Sequence, residues 1–259
     1  MINKVLHFSD LHIKTYKMLD LYRNILSGLI KEWSRLDVDR IAFTGDLLHT
    51  KNQISPEQIN FMSWFLQECA NIAPTVLILG NHDFLENNPD RMDAISVSLG
   101  MLDNPRITLY KERGWYVDEN VNWCVYSLVE NNLPPEIVRN GNHNIGLFHG
   151  QIQKLKTDRG FNFQDGFDMS KFSGLDVVLC GDIHKRQEFT IPNNKKGYMV
   201  GSLIQQQYDE TITKHGYGIY NVETSEYKFV DVFNPSPYIS FSISSIEDIE
   251  NETEVLLNY

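Results

Sequence analysis

The chain has 259 residues, of which 42% are hydrophobic and 12% aromatic, enough for one large domain or two small ones with a sizeable core. Its formal net charge of −11 counts against a broad, non-specific nucleic-acid-binding surface, and no apolar run approaches the roughly 18 residues of a membrane span. The three cysteines are far apart and odd in number, which favours reduced core thiols in a cytosolic protein over a disulfide framework or a cysteine-based zinc site.

Strands that alternate with helices are predicted for the first half of the chain. Apolar residues recur at three- and four-residue intervals between 17 and 36, which is typical of an amphipathic helix. A second helix is predicted to begin after Ser55, which is a suitable N-cap, with Pro56 in its first turn. Short apolar runs predict strands over 4–9, 40–44 and 75–79. This alternation indicates right-handed parallel crossovers.

The second half of the chain is rich in short β-type runs separated by turns. These runs lie at 116–117, 123–129, 144–148, 177–179, 189–191, 198–200, 217–220 and 227–232. With the first half they predict an α/β fold, in which two face-to-face mixed β-sheets are flanked by helices. The stretch Asn234-Pro235-Ser236-Pro237 is the best boundary, which divides a domain of residues 1–235 from a short extension, 236–259.

Polar side chains follow the ends of five predicted strands. They are Asp10, His12, Asp46, Asn81, His82, His149, Asp182 and His184. Because the carboxyl ends of parallel strands meet at one edge of a sheet, we expect these side chains to converge. The glycines at 45, 80 and 181 are expected to let the chain turn sharply where these groups are presented.

Oxygen and imidazole donors without thiolates favour Mn²⁺, Fe or Zn²⁺ over softer metals. The donors are too many for one ion and sufficient for two ions that share a bridging carboxylate. Two such ions, about 3.5–4 Å apart, can hold a phosphate group and provide a nucleophile at neutral pH. Each short motif alone occurs by chance, whereas the ordered set at successive strand ends predicts a two-metal phosphoesterase site.

This ordered set resembles the calcineurin-like metallophosphoesterase superfamily. The motifs are D-x-H, G-D, G-N-H-D, H-G and G-D-x-H. More narrowly, the chain resembles the SbcD-type nucleases of DNA double-strand-break repair, including their phage, bacterial and archaeal relatives. The G-D-L-L-H segment, the G-N-H-D motif and the segment G-S-L-I-Q-Q-Q-Y-D-E at 201–210 carry this narrower resemblance, which covers roughly residues 1–235.

The resemblance implies a four-layer α-β-β-α sandwich and two sets of metal ligands. One ion would be bound by Asp10, His12, Asp46 and His184, and the other by Asp46, Asn81, His149 and Asp182. His82 would donate a proton to the leaving oxygen as a general acid, with Asp83 orienting it through a hydrogen bond. His49 would contact or help to position the substrate phosphate.

The chain departs from the family pattern in two places. Asp182 stands where the family has an imidazole, and we expect it either to bind Mn²⁺ as a carboxylate or to mark a weakened second site. Residues 236–259 are too few for the DNA-capping domain and ATPase-docking helices of family members. The chain is therefore expected to be either a minimal member or one truncated at the start of a capping domain.

The resemblance implies an Mn²⁺-dependent DNA nuclease, acting as 3′–5′ exonuclease and single-strand endonuclease, with Mg²⁺, Fe or Zn²⁺ as other metals. It also implies a partnership with an SbcC-type ATPase in the cytoplasm, or in the host cytoplasm if the chain is from a phage. A homodimer would use the segments 56–70 and 84–100, with contacts from Phe61, Trp64, Phe65, Met92 and Ile95, unless these are core residues. The alternative functions are a phosphodiesterase of small nucleotides and a non-enzymatic DNA-end scaffold.

Overall fold

The computed structural model describes residues 1–240 and Ser245, and within these it contains twelve strands and three α-helices. In chain order they are β1 (Lys4–Phe8), α1 (Leu19–Trp33), β2 (Arg40–Phe43), α2 (Pro56–Ile72), β3 (Thr75–Leu77), α3 (Ala94–Leu102), β4 (Ile107–Leu109), β5 (Gly114–Asp118), β6 (Val121–Tyr126), β7 (His143–His149), β8 (Val177–Gly181), β9 (Gln187–Ile191), β10 (Lys195–Met199), β11 (Gly216–Asn221) and β12 (Tyr227–Asp231). Residues 241–244 and 246–259, which make up most of the predicted extension, lie outside the described residues.

Local chemistry explains where the main helices begin. The side chain of Ser55 accepts a hydrogen bond from the Gln58 amide at 3.3 Å, and the Gln58 side chain accepts one from the Ser55 amide at 2.9 Å. This reciprocal capping box satisfies two donors that a helix start leaves free, as expected for α2. Helix α1 is shorter than predicted because the preceding residues, Tyr16–Met18, form a 3₁₀ turn.

The twelve strands form two six-stranded mixed sheets. The first sheet has the order β12-β11-β1-β2-β3-β4, and its last four strands are parallel. The second has the order β5-β6-β7-β8-β10-β9, in which β6, β7, β8 and β10 are parallel. The prediction of two mixed sheets flanked by helices is confirmed.

Alternating side chains of each strand divide the core into layers. In β1, Val5 packs into the apolar layer that also contains Trp123 and Leu147 of the second sheet, whereas Leu6 packs with the helices α1 and α2. This two-residue period is the expected result of a strand with both faces buried. The layer between the sheets therefore holds the two sheets face to face.

The outer face of the second sheet has a different cover from that of the first. Its apolar side chains, among them Tyr126 and Phe148, pack against Phe172 of a 3₁₀ turn, Met169–Phe172, and against the loop before it. This loop supplies the layer for which the sequence predicted a helix. Strand β4 was not predicted. Helix α3 overlaps the segment 84–100, which was expected at a dimer interface, and it has a side-chain cap, since Asp93 accepts from the Ser96 amide at 2.7 Å.

The five side chains expected at a dimer interface separate into two groups. Phe61, Phe65 and Ile95 are fully buried in the core, whereas Met92 is 81% exposed and Trp64 is partly buried. The first three are thus core residues of the single chain.

No helix in the described part of the chain combines the length and the apolar character that a membrane span requires.

Candidate metal centre

The carboxyl ends of β1, β2 and β3 meet those of β7 and β8 at one edge of the sandwich. The turn after β1 is bonded to the turn after β2, since the Asp10 amide donates to the Gly45 carbonyl and the His12 amide to the Asp46 carbonyl, both at 3.0 Å. The turn after β8 is tied to the same place, because the Asp182 amide donates to the Asp10 carboxylate at 3.1 Å. Both sheets therefore contribute side chains to one site.

The backbone at this edge is held in uncommon conformations. Asp10, His12, Asp46 and Asp182 all have positive φ angles, of 53°, 47°, 61° and 95°. Non-glycine residues rarely adopt this region, and clusters of such residues are typical of functional sites.

The glycines beside the site are required for two different reasons. Gly45 has φ of 99°, so the predicted sharp turn is present there. Gly80 lacks a positive φ; instead, a Cβ atom on it would lie 2.1 Å from Asp46 Oδ1. The chain does turn sharply after Gly80, since the Asp83 amide donates to the Gly80 carbonyl at 3.1 Å, but what requires glycine there is the close approach of the Asp46 carboxylate. Gly181 is likewise required by close approach, since its Cβ would lie 2.0 Å from Ser9 Oγ.

The first predicted ligand set comes together in the structure. The Nε2 atoms of His12 and His184 lie 3.0 Å apart, and each is 3.8 Å from Asp10 Oδ1. His12 Nε2 is also 3.5 Å from Asp46 Oδ2. Asp10, His12 and His184 thus direct donor atoms at a common point, which Asp46 borders through its approach to His12.

The second predicted set lies on the other side of the Asp46 carboxylate. His149 Nε2 is 3.5 Å from Asp46 Oδ1, 3.1 Å from Asn81 Oδ1 and 3.8 Å from Asp182 Oδ1. Asp46 thus offers Oδ2 to the first set and Oδ1 to the second, the position expected of a bridging ligand. Asp182 lies where the family's imidazole would be, close enough to take part.

The surroundings of His149 suit a cation at the second set. Its Nδ1 donates to the Thr44 carbonyl at 2.6 Å, so its other ring nitrogen directs a lone pair at the oxygens of Asp46 and Asn81. Burial favours a neutral ring, but the neighbouring Asp46, Asp10 and Asp182 carboxylates raise the pKa of His149 well above its usual value. Converging acceptors of this kind are satisfied by a proton or by a metal ion.

The carboxylates of the site respond to the same surroundings in opposite directions. Burial raises the pKa of Asp10 to about 6. Asp46 is also buried, yet the nearby His149 and His12 rings lower its pKa far below the usual value. The residues therefore fit a pair of divalent ions, with a strongly anionic Asp46 between the two ligand sets.

His82 faces the site but is held differently from the prediction. Its Nδ1 donates to the His49 carbonyl at 2.7 Å, and its ring stacks on that of His49 with centroids 5.7 Å apart. The His82 amide donates to Asp46 Oδ1 at 2.8 Å. His49 therefore positions His82 through its main chain and lines the same cleft.

The prediction that Asp83 orients His82 is wrong. The buried Asp83 carboxylate accepts four backbone hydrogen bonds, from the amides of Gly80, Asp46, Leu47 and Leu48, at 2.8–3.0 Å. Asp83 thus fixes the turn that presents Asp46, and it acts on a metal ligand through the backbone. Burial, followed by the charge of Asp46, raises the pKa of Asp83 to about 7.

Two further residues that contact the ligands were not predicted. Thr44 supplies the carbonyl for His149, and Glu210 accepts from His184 Nδ1 at 2.6 Å. Burial opposes charge on His184, but the hydrogen bond to Glu210 and the charge of Asp10 raise its pKa to about 9. Glu210 ends the segment 201–210, and its position there is the one sequence signal that could have identified it.

Ten residues line a cleft of about 400 Å³ above the ligands. They are His12, Lys14, Asp46, His49, Asn81, His82, Asp182, His184, Gln206 and Gln207. Two further clefts, of about 580 and 560 Å³, adjoin it, and Asp182 lines all three. Lys171 lines the first of these neighbours and Lys185 the second.

Comparisons with known proteins identify the family to which this chain is similar. A sequence model of the calcineurin-like phosphoesterases matches residues 3–186. The uncharacterised protein R555 of Acanthamoeba polyphaga mimivirus is 30% identical over 269 aligned residues, which cover 97% of this chain and 20% of R555. Protein 244L of Invertebrate iridescent virus 6, which carries a provisional phosphoesterase name, is 28% identical over 85 residues, or 33% of this chain and 29% of 244L. The chain thus matches less than a third of the length of either viral relative.

A solved structure shares the fold. A dimetal phosphatase from Danio rerio superposes with a TM-score of 0.51 at 11% sequence identity, over 85% of this chain and 93% of the phosphatase chain. At this identity the likeness concerns the sandwich alone.

Proposed function

The chain belongs to the calcineurin-like phosphoesterase family, and from this membership we propose that it hydrolyses phosphodiester bonds of DNA with two divalent ions. The observation that carries the proposal is the position of Asp46. One carboxylate oxygen faces His12 of the first ligand set, and the other faces His149 of the second, each at 3.5 Å. The family implies two divalent metals, and this shared carboxylate supports two adjacent sites.

The side chains of the cleft have different chemical roles in the proposed reaction. When bound, a pair of divalent ions neutralises phosphate charge and makes a nucleophile available at neutral pH. His82 is the general acid of the proposal. Its Nδ1 proton is held by the His49 carbonyl, so the acid is the imidazolium, whose second proton, on Nε2, passes to the leaving oxygen and leaves a neutral ring. Lys14 and His49 line the same cleft and contact the substrate phosphate.

Three features support DNA as the substrate. Gln206 and Gln207, from the segment that resembles SbcD-type nucleases, line the cleft itself. The adjoining clefts extend the site in two directions, which suits a strand longer than one nucleotide. Lys171 in one cleft, and Arg159 and Lys185 in the other, offer positive charge to neighbouring phosphates, although acidic side chains outnumber basic ones in both clefts and the chain as a whole is acidic.

The narrower resemblance supports the remaining parts of the proposal. The resemblance to SbcD-type proteins implies 3′–5′ exonuclease and single-strand endonuclease activity. It also implies an SbcC-type ATPase partner and a cytoplasmic location. The imidazole content of the ligand sets favours Mn²⁺ over Mg²⁺, which prefers oxygen ligands alone. Residues 1–235 form the nuclease domain of the proposal, and the exposed Met92 and the partly buried Trp64 are the remaining candidates for dimer contacts.

A cleavage assay with three substrates tests this function. Purified protein, stripped with a chelator and resupplied with Mn²⁺ or Mg²⁺, is incubated with labelled single-stranded DNA, labelled double-stranded DNA and a cyclic nucleotide. We expect Mn²⁺-dependent DNA cleavage that exceeds the Mg²⁺-supported rate. Equal rescue by Mg²⁺ would contradict the ligand assignment, and absence of DNA cleavage would contradict the substrate.

A phosphodiesterase of small nucleotides is the second candidate. The net charge of −11 favours it, since a small substrate needs no extended basic surface. In the same assay, hydrolysis of the cyclic nucleotide without DNA cleavage would establish this alternative.

A further inference from the structure

Residues 201–210, here called the strap, follow β10 and cross the first ligand set. The Ser202 amide donates to the His184 carbonyl at 3.1 Å, and the Leu203 amide donates to the Ser9 carbonyl at 3.2 Å. The side chain of Gln206 donates to the Leu11 carbonyl at 3.2 Å, between the ligands Asp10 and His12. The strap is therefore bonded to both chain segments that supply ligands for the first ion.

Glu210 ends the strap with a carboxylate that is fixed at both oxygens. Oε1 accepts from His184 Nδ1 at 2.6 Å, and Oε2 accepts from the Gln206 amide at 2.6 Å. Only 8% of Glu210 is exposed. A buried carboxylate bonded at both oxygens has one orientation, so the ring of His184 is held in one orientation as well.

The bond to Glu210 also determines which ring nitrogen of His184 faces the site. With the proton on Nδ1, Nε2 presents its lone pair toward Asp10 and His12. Within the described residues, His12 Nδ1 has no hydrogen-bond partner, and His149 has a neutral carbonyl. Among the three imidazole ligands, His184 alone is therefore backed by a carboxylate.

We propose that Glu210 is a positioning residue, which sets the affinity of the first ion by holding His184 in its ligating tautomer and orientation. The proposal rests on the two-ion site of the proposed function. Carboxylates behind ligating imidazoles fix the ring and increase its basicity, and their loss weakens metal binding by about 10–100-fold. The effect should fall on one ion, because the ligands of the second set do not contact Glu210.

The test measures Mn²⁺ stoichiometry and affinity by calorimetry for the unaltered chain, Glu210→Gln and the control Gln205→Leu. Gln205 lies in the same strap and donates to the Glu210 carbonyl and the Tyr238 carbonyl, both at 3.0 Å, but it does not contact His184. We expect two ions on the unaltered chain and on the control. In Glu210→Gln, one ion should bind about 10–100-fold more weakly, while the other is retained.

Three results would overturn the proposal or its premise. Two ions bound by Glu210→Gln with unchanged affinity would overturn it, and so would an equal loss in Gln205→Leu, which would show that the strap acts by packing alone. An unaltered chain that binds no pair of ions would contradict the proposed function instead. If Glu210→Gln fails to fold, ¹⁵N spectra of the unaltered, metal-free chain at an alkaline pH, where the His184 ring is neutral, provide the test: a proton on Nδ1 would support the proposal, and a proton on Nε2 would overturn it.

Discussion

His82 and His149 both donate from Nδ1 to a main-chain carbonyl, yet their surroundings give them different roles. His149 is fully buried, and its second ring nitrogen faces Asp46, Asn81 and Asp182. His82 is only partly buried, and its ring lies edge-on to that of His12 with centroids 4.8 Å apart. We therefore expect an imidazole to act as a ligand where carboxylates surround it, as at His149, and as an acid where it borders the open cleft, as at His82.

His82→Asn should separate metal binding from chemistry. Both ions should remain, because His82 belongs to neither ligand set, while DNA cleavage should fall by about 10²–10⁴, the usual effect of removing a general acid. Asp46→Ala is the matched variant, in which bound metal and activity should be lost together. Metal analysis and cleavage rates provide the comparison, and a His82→Asn protein without its metals would refute the role given to this residue.

His7, a buried residue of β1, has a protonation state that depends on folding. Its ring contacts Thr44 Oγ1 and the Tyr227 hydroxyl, each at 2.9 Å, and burial lowers its pKa to about 3. Between pH 6.5 and 3 the unfolded chain therefore binds a proton that the folded chain does not, so stability falls as pH falls.

The loss should be about 2 kcal/mol between pH 6.5 and 5, since each pKa unit corresponds to about 1.4 kcal/mol. His7→Gln removes this titration and keeps polar atoms near both hydroxyls. Urea unfolding in the presence of chelator, at several pH values, should show a shallower acid dependence for His7→Gln. Parallel curves for the two proteins would contradict the neutral, buried state of His7.

At the scale of elements, the turns that follow the strands determine where most candidate ligands lie, whereas the strands bring those turns together. The ligand positions could be predicted from sequence because each motif follows an apolar strand directly, and parallel strands bring their ends together. The contact of Thr44 with His149 could not, because its hydrogen bond joins residues 105 positions apart in the chain. Glu210 lies 26 positions from His184, and only its place in the segment 201–210 indicates it. The prediction for Asp83 is wrong because its hydrogen-bond donors, the amides of residues 46–48, belong to another turn that is distant in sequence.

The same distinction holds for the secondary structure. Helix α2 could be predicted because its capping box lies within four consecutive residues. Strand β4 has only three residues and pairs with β3 alone, so its identity as a strand depends on a tertiary contact. The loop that covers the second sheet owes its place to the aromatic cluster around Phe172, which no local period reveals.

Gly80→Ala tests the turn after β3. Its Cβ would lie 2.1 Å from Asp46 Oδ1, so the bridging carboxylate must move, and Mn²⁺ affinity should fall at least about tenfold. Gly28→Ala in α1 is the control, because nothing lies within 4 Å of its Cβ, and it should stabilise the fold by about 0.5–1 kcal/mol. Calorimetry and urea unfolding measure the two effects, and full Mn²⁺ affinity in Gly80→Ala would contradict the proposed packing of Asp46.

At the scale of the whole molecule, the candidate metal centre joins the two sheets. The first sheet supplies Asp10, His12, Asp46 and Asn81 after its strands, and the second supplies His149, Asp182 and His184. Each ligand set includes side chains from both sheets. Bound ions would therefore cross-link the two sheets at one edge, while the apolar layer between the sheets packs them together elsewhere.

Metal binding should consequently stabilise the fold. At a free Mn²⁺ concentration of about 100 times the dissociation constant, each occupied site should add about 2.7 kcal/mol, which raises Tm by several degrees. Thermal unfolding with Mn²⁺ and with chelator measures the difference, and Asp46→Ala should show almost none. An equal Tm under both conditions for the unaltered chain would mean that the two sheets are not joined through metal.

The most direct test of the two-ion centre is a crystal structure of the Mn²⁺-loaded protein with anomalous scattering data. The account predicts two anomalous peaks on either side of the Asp46 carboxylate, about 3.5–4 Å apart. One peak should be coordinated by Asp10, His12 and His184, and the other by Asn81, His149 and Asp182. A single peak, or a pair that does not share Asp46, would contradict the account.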